Sequence, residues 1–383
     1  MKDFELKPFP GESSVSYDKR KAYYHRVLSP RLAYGRDCLD NKLKNSTPIS
    51  ASEREEIDAF WAPYLTPEQR DKFIDYRYYD VYKKVLRPGE KLCEYMPEDF
   101  YALFIDEYFG NPQHSFPTDD KNLYDLYYHD IKRPRTIFRK VSGLLLDEKY
   151  DEITLDDVLA MSREQGEVIV KPTRFTRSGR GLLFWDSGRN DEKELKDYLQ
   201  SSGDVVCQEV VKQHPELSRL NASSLNTIRI MTMMLHGKVH VLSSCIRMGI
   251  AGSKVDNFTN GGIGSGIKPN GQLKNEAYDY QANRYDKHPS GTIFESVTIP
   301  NFDECIEMVK YLAKRISIMS RLVSWDLAID ESGHPLIIEM NFAGGLDIHQ
   351  LCNGPIYRDM TREVLDEVFK NAYTLNAILK SMQ

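Results

Sequence analysis

The chain has no apolar run near the roughly 18 residues that a membrane-crossing helix needs, so no transmembrane segment is expected. Its opening residues, Met1 to Pro10, lack the apolar centre of a secretory signal. Cysteine is scarce, with six in 383 residues at positions 38, 93, 207, 245, 305 and 352, and no two form a C-x-x-C pair. Reduced, buried thiols in a cytoplasmic protein are therefore expected. Peripheral association with a membrane-bound partner stays open. Positive charge is not in excess: 51 Lys and Arg stand against 57 Asp and Glu, for a net charge of −6. That removes the global basic signature of a nucleic-acid binder. There is no GxxxxGK[ST] loop, no Ser-His-Asp or catalytic cysteine pattern, no internal repeat and no low-complexity segment. What is present fits a soluble globular chain of two to three domains, with 41% hydrophobic and 28% charged residues.

The most informative stretch runs from Arg321 to Asn341. Two apolar segments flank Asp330-Glu331-Ser332-Gly333, the signal of an antiparallel hairpin. Folding back there brings Asp326 opposite residues 338 to 339. Strand alternation puts Glu339 and Asn341 on one face. One face can thus collect two carboxylates and an amide oxygen, hard ligands that suit magnesium shared with phosphates. Ordinary polar residues at a strand end are the plain alternative. The apolar run Leu336 to Ile338 weighs against it, since a carboxylate leaving such a run needs a partner.

Residues 1–118 read as a mainly helical region. Ser52 to Glu55 looks like a capping box, and Thr66 to Gln69 opens another helix with Pro67 in its first turn. Pro97 to Phe100 opens a third helix. Of 23 tyrosines, 15 precede residue 130, which predicts aromatic core and interdomain packing. Residues 119–205 form a second unit. In it Glu167 to Pro172 is an apolar strand ending in Lys171, and Thr173 to Gly181 is a Gly/Ser loop carrying Arg174, Arg177 and Arg180. The strand Leu182 to Trp185 follows. Such a loop can close over phosphates. Residues 206–383 form the third unit, with strands at 205–211, 224–234 and 239–246, a helix from a capping box at Asn301, and the hairpin. A final helix is expected over 358–371.

The order of these features resembles the ATP-grasp superfamily, and most closely its sugar-transfer-associated branch. Carrying the resemblance are Asp120-Lys121-Asn122, Val168 to Pro172, Gly179-Arg180-Gly181, Gln208-Glu209 and Ser224 to Arg229. With them go Arg247-Met248-Gly249, Asp256-Asn257 with Gly261-Gly262, His288-Pro289, Trp325-Asp326, and Ile338 to Asn341. They span residues 119 to 358. The resemblance implies an α+β fold in which two α+β subdomains sandwich ATP, preceded by the helical N-terminal region. The smaller, lid-bearing subdomain would be 119–205 and the larger, with the metal site, 206–383.

The resemblance also implies roles. Lys121 and Lys171 match the cations that hold ATP phosphates, as an ammonium on a flexible stem does well. Gly179 and Gly181 match the closing loop. Gln208, Glu209, Val210 and Val211 match the hinge that reads the adenine edge. Asp326, Glu339 and Asn341 match the Mg2+ ligands. Asn226, Arg229 and Arg247 match the catalytic set, the arginines stabilising an acyl phosphate and its tetrahedral successor. His288 is either a substrate contact or a turn residue. The implied activity is an ATP-dependent carboxylate–amine ligase acting on a small carboxylate and an amine. A sugar acid, amino sugar or amino acid in cell-surface polysaccharide assembly would suit, with assembly enzymes as partners. A kinase with a hydroxyl acceptor and a non-catalytic nucleotide-binding module remain alternatives.

Overall fold

The computed structural model describes residues 8, 11–23, 25, 29–44, 46–111, 115, 119–174, 180–250, 252–253, 256, 258 and 261–381. Twelve strands form two antiparallel sheets. The first contains β1 (Thr136–Val141), β2 (Leu144–Asp147), β3 (Glu167–Pro172), β4 (Leu183–Asp186) and β5 (Val205–Glu209), in the order β2-β1-β5-β3-β4. The second contains β6 (Ile228–Leu235), β7 (Lys238–Met248), β8 (Ile263–Ile267), β9 (Leu273–Asp279), β10 (Arg284–Tyr285), β11 (Leu322–Ile329) and β12 (Pro335–Asn341), in the order β10-β9-β8-β7-β6-β11-β12. Because β5 pairs with both β1 and β3, the first sheet extends to Glu209, past the expected break at 205.

The helices that back the sheets start where their caps dictate. Thr154 accepts from Asp157 N–H and Asp157 reaches back, opening the helix Leu155–Gln165. A cap of this kind contributes about 1 kcal/mol. This helix and Glu192–Ser201 cover one face of the small sheet with Val158, Leu159, Leu195 and Leu199. The amphipathic helix Phe302–Arg315 covers one face of the large sheet, against Ile228, Ile230, Trp325 and Leu327. Alternation along β6 and β11 then turns Arg229 and Asp326 to the opposite face.

Two expected caps differ. The helix Ala51–Trp61 begins at Ser50 with Glu53, not at Ser52. Both pairs have S-x-x-E spacing, and the apolar residues Ile57, Phe60 and Trp61 fit either start. Asn301 makes no capping bond. It adopts φ +49° and donates its amide to Gly333 O at 2.8 Å, tying the helix start to the hairpin turn. The strand expected from Ser224 begins only at Ile228.

The tyrosine-rich N-terminal helices bury their aromatics as expected. Trp61, Tyr79, Tyr82, Tyr95, Phe100 and Phe104 join a core with the helices Thr361–Asn371 and Tyr373–Ser381 and with Met231 and Met233 of the large sheet. Trp61 Nε1 donates to Tyr79 at 2.9 Å, satisfying a buried indole. The same region grips the helix Asp347–Asn353: Lys42 pairs with Asp347 at 3.1 Å, Glu98 accepts from Leu346 N–H at 3.1 Å, and Met96 N–H donates to Gln350 at 2.8 Å. That helix lies over Gly264 and Gly266, where a Cβ would strike Ile348 or Asn353.

Candidate active site

The large sheet lines up one continuous row of side chains. Cys245 of β7 is opposite Arg229 of β6, which is opposite Asp326 of β11, which is opposite Glu339 of β12. Directly opposed residues share a face. The turn fixes this register: Asp330 Oδ1 accepts from Ser332 and His334 N–H, and Gly333 takes φ +86°.

Asp326 is the centre of the row. Arg229 grips it with two bonds, Nε to Oδ1 at 2.7 Å and Nη2 to Oδ2 at 2.6 Å. Arg247 Nη2 and Asn341 Nδ2 add contacts to Oδ2 at 3.2 and 3.3 Å. Burial alone would push this carboxyl up, but Arg229 and then Arg247 outweigh it and hold it down at about 2. Arg247 is itself held by Thr227 Oγ1, at 2.7 Å from Nη2, and lies 3.6 Å from Asp256. Asp256 in turn accepts from Thr227 N–H at 3.0 Å.

The other wall comes from the small sheet. Lys121 N–H donates to Thr173 O at 3.1 Å, which seats it beside the end of β3 and Lys171. Lys121 Nζ reaches across to Glu339 Oε1 at 2.8 Å. Among the described residues Lys171 meets only a neutral group, Gln208 Oε1 at 3.1 Å. Burial, with Lys121 adding repulsion, lowers its ammonium to about 8. Asp119 completes the cluster. Burial raises its carboxyl to about 6 against the pull of Lys121.

A sequence profile of the sugar-transfer associated ATP-grasp family matches residues 106–365, so the match covers well over half of the chain and includes both walls. The chain belongs to this family. It therefore has the ATP-grasp fold, with the helical N-terminal region ahead of the sheets. No curated protein matches it by sequence. Solved structures that resemble it include D-alanyl-alanine synthetase A from Vibrio cholerae, at 13% identity and TM-score 0.38, covering 73% of this chain and 67% of that one. Another is the ATP-grasp ligase PsnB complexed with a minimal precursor, at 13% and 0.40, covering 68% and 64%. A third is an L-amino acid ligase from Bacillus licheniformis, at 13% and 0.37, covering 69% and 50%. The chain spans two thirds or less of the length of these proteins.

Within this ATP-grasp chain the remaining expected residues fall as follows. Glu209 turns its carboxylate to Arg135 N–H at 2.9 Å and lies with Val210 and Val211 half-buried at the end of β5. Gly181 takes φ +76°, and its carbonyl accepts from Tyr198 at 2.5 Å. Gly179, Arg177 and Asn257 lie outside the described residues. Asn226 stands two residues before β6. It is fully buried, and its Nδ2 donates to Gln213, Leu217 O and Asn221 O at 2.9–3.0 Å. His288 is a turn residue: its ring nitrogens bond Gly249 O and Ser290, and burial lowers its pKa. Sequence reasoning missed Asp119 and the Thr227–Asp256 clamp on Arg247. Thr227 and Asp256 stood within the quoted motifs, but nothing in their spacing joins them.

The family implies magnesium, and the donors fit it. Asp326 and Glu339 face the same side of adjacent strands, and Asp326 Oδ1 accepts only from Arg229, leaving a lone pair. Asn341 would present its oxygen by turning its amide over. Among the described residues no three His, Cys, Asp or Glu side chains form a metal cage.

Proposed function

We propose that the chain is an ATP- and Mg2+-dependent carboxylate–amine ligase that forms an amide through an acyl phosphate. The observation that carries this reading is the Arg229–Asp326–Arg247 cluster, set in line with Glu339, Lys121 and Lys171 across the two sheets. Two carboxylates and four cations converge there, on elements from both subdomains.

Lys121 and Lys171 bind the α and β phosphates, and the backbone of Gln208 to Val211 reads the adenine edge. The loop through Gly181 closes over the phosphates and excludes water. A substrate carboxylate oxygen bonds to the γ phosphorus as the bond to the β-phosphate oxygen breaks, giving acyl phosphate and ADP. The amine then attacks the carbonyl carbon, phosphate leaves and a proton is lost. Arg229 and Arg247 are the planar donors that meet charge growing on the transferring group and on the carbonyl oxygen. Asp326, Glu339 and Asn341 would hold magnesium, which neutralises phosphate charge when bound. Positioning and charge supply the catalysis, with no covalent protein nucleophile.

The acid is a sugar acid or amino acid, and the amine an amino sugar or amino acid, with a role in cell-surface polysaccharide assembly. The test is to screen sugar acids and amino acids with ATP, Mg2+ and hydroxylamine. Hydroxamate and ADP formed together, and only with an acid present, support the ligase. ADP formed with a neutral polyol and no hydroxamate replaces it with a kinase.

A further inference from the structure

Behind the hinge, where Arg135 N–H donates to Glu209, a cavity of about 490 Å³ opens between the start of β1, the turn after β2 and the helix Tyr124–Tyr127. Neither Lys121, Lys171, Asp326 nor Glu339 lines it. Its size is that of a small-molecule site. Its walls carry Lys132, Arg133, Arg135 and Lys149, with Leu126 and Tyr150 as apolar surface.

Charge there is out of balance. Arg133 and the fully buried Arg139 share one carboxylate, Asp125. Lys132 is matched by Asp330. Arg135 reaches only the neutral amide of Gln165, and the Lys149 ammonium has no ion pair among the described residues. In the lining itself four cationic side chains, Lys132, Arg133, Arg135 and Lys149, stand against two carboxylates, Asp125 and Glu148. In a chain of net charge −6, such a patch is set apart from its surroundings.

Tyr150 is held in an unusual way. It has φ +70°, a region that a bulky residue adopts at a cost of about 1–2 kcal/mol. Asp147 Oδ1 secures the turn by accepting from Lys149 and Asp151 N–H at 2.8 and 2.9 Å. One face of the Tyr150 ring carries the Arg139 guanidinium, 4.3 Å from its centroid. Tyr150 is still 42% exposed, and Leu126, which lines the same cavity, is 57% exposed. Arg139 Nε and Nη1 are buried without a hydrogen-bond partner among the described residues. A strained ring propped on an under-bonded buried arginine, next to the unpaired Lys149 ammonium, is an arrangement that folding alone does not reward.

We propose that this cavity is a second ligand site, which takes a phosphorylated ring compound of mononucleotide or sugar-phosphate size. The ring stacks on Tyr150 and Leu126, and the phosphate meets Lys149 and Arg135. Stacking on an aromatic platform and a basic rim are the two parts such a ligand needs.

The test uses the full chain with its cleft saturated by a non-hydrolysable ATP analogue and Mg2+. Uridine 5′-monophosphate, glucose 1-phosphate and inorganic phosphate are titrated by calorimetry, and amide exchange is followed over residues 131–136 and 147–151. One ring-bearing probe is expected to bind at one site, tighter than phosphate, with exchange slowed in both segments. Tyr150→Gly relieves the backbone and keeps the fold, yet should weaken binding roughly tenfold, the loss of one stacking platform. Lys149→Glu should weaken it by a similar factor. Neither variant should alter ATP-dependent turnover. The proposal is overturned if no probe binds at millimolar concentration, if phosphate binds as tightly as the ring compounds, or if both variants bind like the wild type.

Discussion

The two walls of the cleft solve the same electrostatic problem in opposite ways. On the large sheet, Asp326 is 2% exposed and fully compensated by Arg229, Arg247 and Asn341. On the small sheet, Lys171 is half-buried and, among the described residues, bonds only a neutral amide. The first wall is a finished network whose geometry is set before any ligand arrives. The second is left short of negative charge. A polyphosphate between them would supply what the second lacks. Preorganised charge on one side and unmet charge on the other suit a site that binds an anion and then acts on it.

The sharpest way to break this contrast is to cut the finished network. Asp326→Ala leaves Arg229 and Arg247 buried without their shared carboxylate. Removing one partner of a buried pair costs about 3–5 kcal/mol. Urea unfolding should show a loss of that size. The pH dependence carries the same signature. A carboxyl lowered from 3.8 to about 2 contributes stability above pH 3.8, which is lost as pH falls through about 2. The variant should lack that acid limb.

The unfinished wall should respond in reverse. Lys171→Met removes a half-buried ammonium that has no carboxylate partner among the described residues, so stability without nucleotide should hold or rise. Nucleotide affinity should fall by about 1.5–3 kcal/mol, roughly ten- to a hundredfold, the range for a charged hydrogen bond. With an ammonium lowered from 10.5 to about 8, the folded state releases its proton first, so wild-type stability should climb between those pH values. Flat stability there, or unchanged affinity in calorimetry, would remove Lys171 from the phosphate site.

How much of this was legible follows the range over which residues interact. The hairpin was readable because Asp330 to Gly333 fixes its turn locally and alternation does the rest. The strand ending in Lys171 was readable from its apolar run. The partners were not. Lys121 finds Glu339 and Arg247 finds Asp256 only once two sheets and a long loop are in place. Asn226 sits in a motif next to the reactive row, yet three local acceptors draw its amide into the loop. Ser50 and Ser52 offered equal spacing, so no pattern could choose the cap. The second cavity left no sequence signature, since its cations come from two turns on either side of β1 and β2.

Asp119 tests the seam between the walls, with a smaller effect. Its carboxyl is raised to about 6 by burial, so the stability it contributes is fully present below pH 3.8 and lost as pH rises through about 6. Asp119→Asn should abolish that decline, and the two stability curves should diverge only over this window. Curves that stay parallel from pH 4 to 6 would place Asp119 in contact with water.

Lys121 should give the smallest change, although it stands beside Lys171. The reason is that it already has a partner. To reach a phosphate it must leave Glu339, 2.8 Å away, so the new contact is partly offset by the old one. Lys121→Met should therefore weaken nucleotide binding less than Lys171→Met does. The difference should depend on the metal. Without Mg2+, moving Lys121 to a phosphate strands the Glu339 carboxylate, and the lysine gains little. With Mg2+ present, Glu339 is neutralised again and Lys121 is released to the nucleotide at no such cost. The loss of affinity in Lys121→Met should thus be larger with Mg2+ than with EDTA, whereas the loss in Lys171→Met should be similar in both. Calorimetric titration of both variants with ATP in the two buffers decides the matter. Equal losses for Lys121→Met in both would mean that the Lys121–Glu339 pair does not compete with nucleotide, and that the two walls act independently.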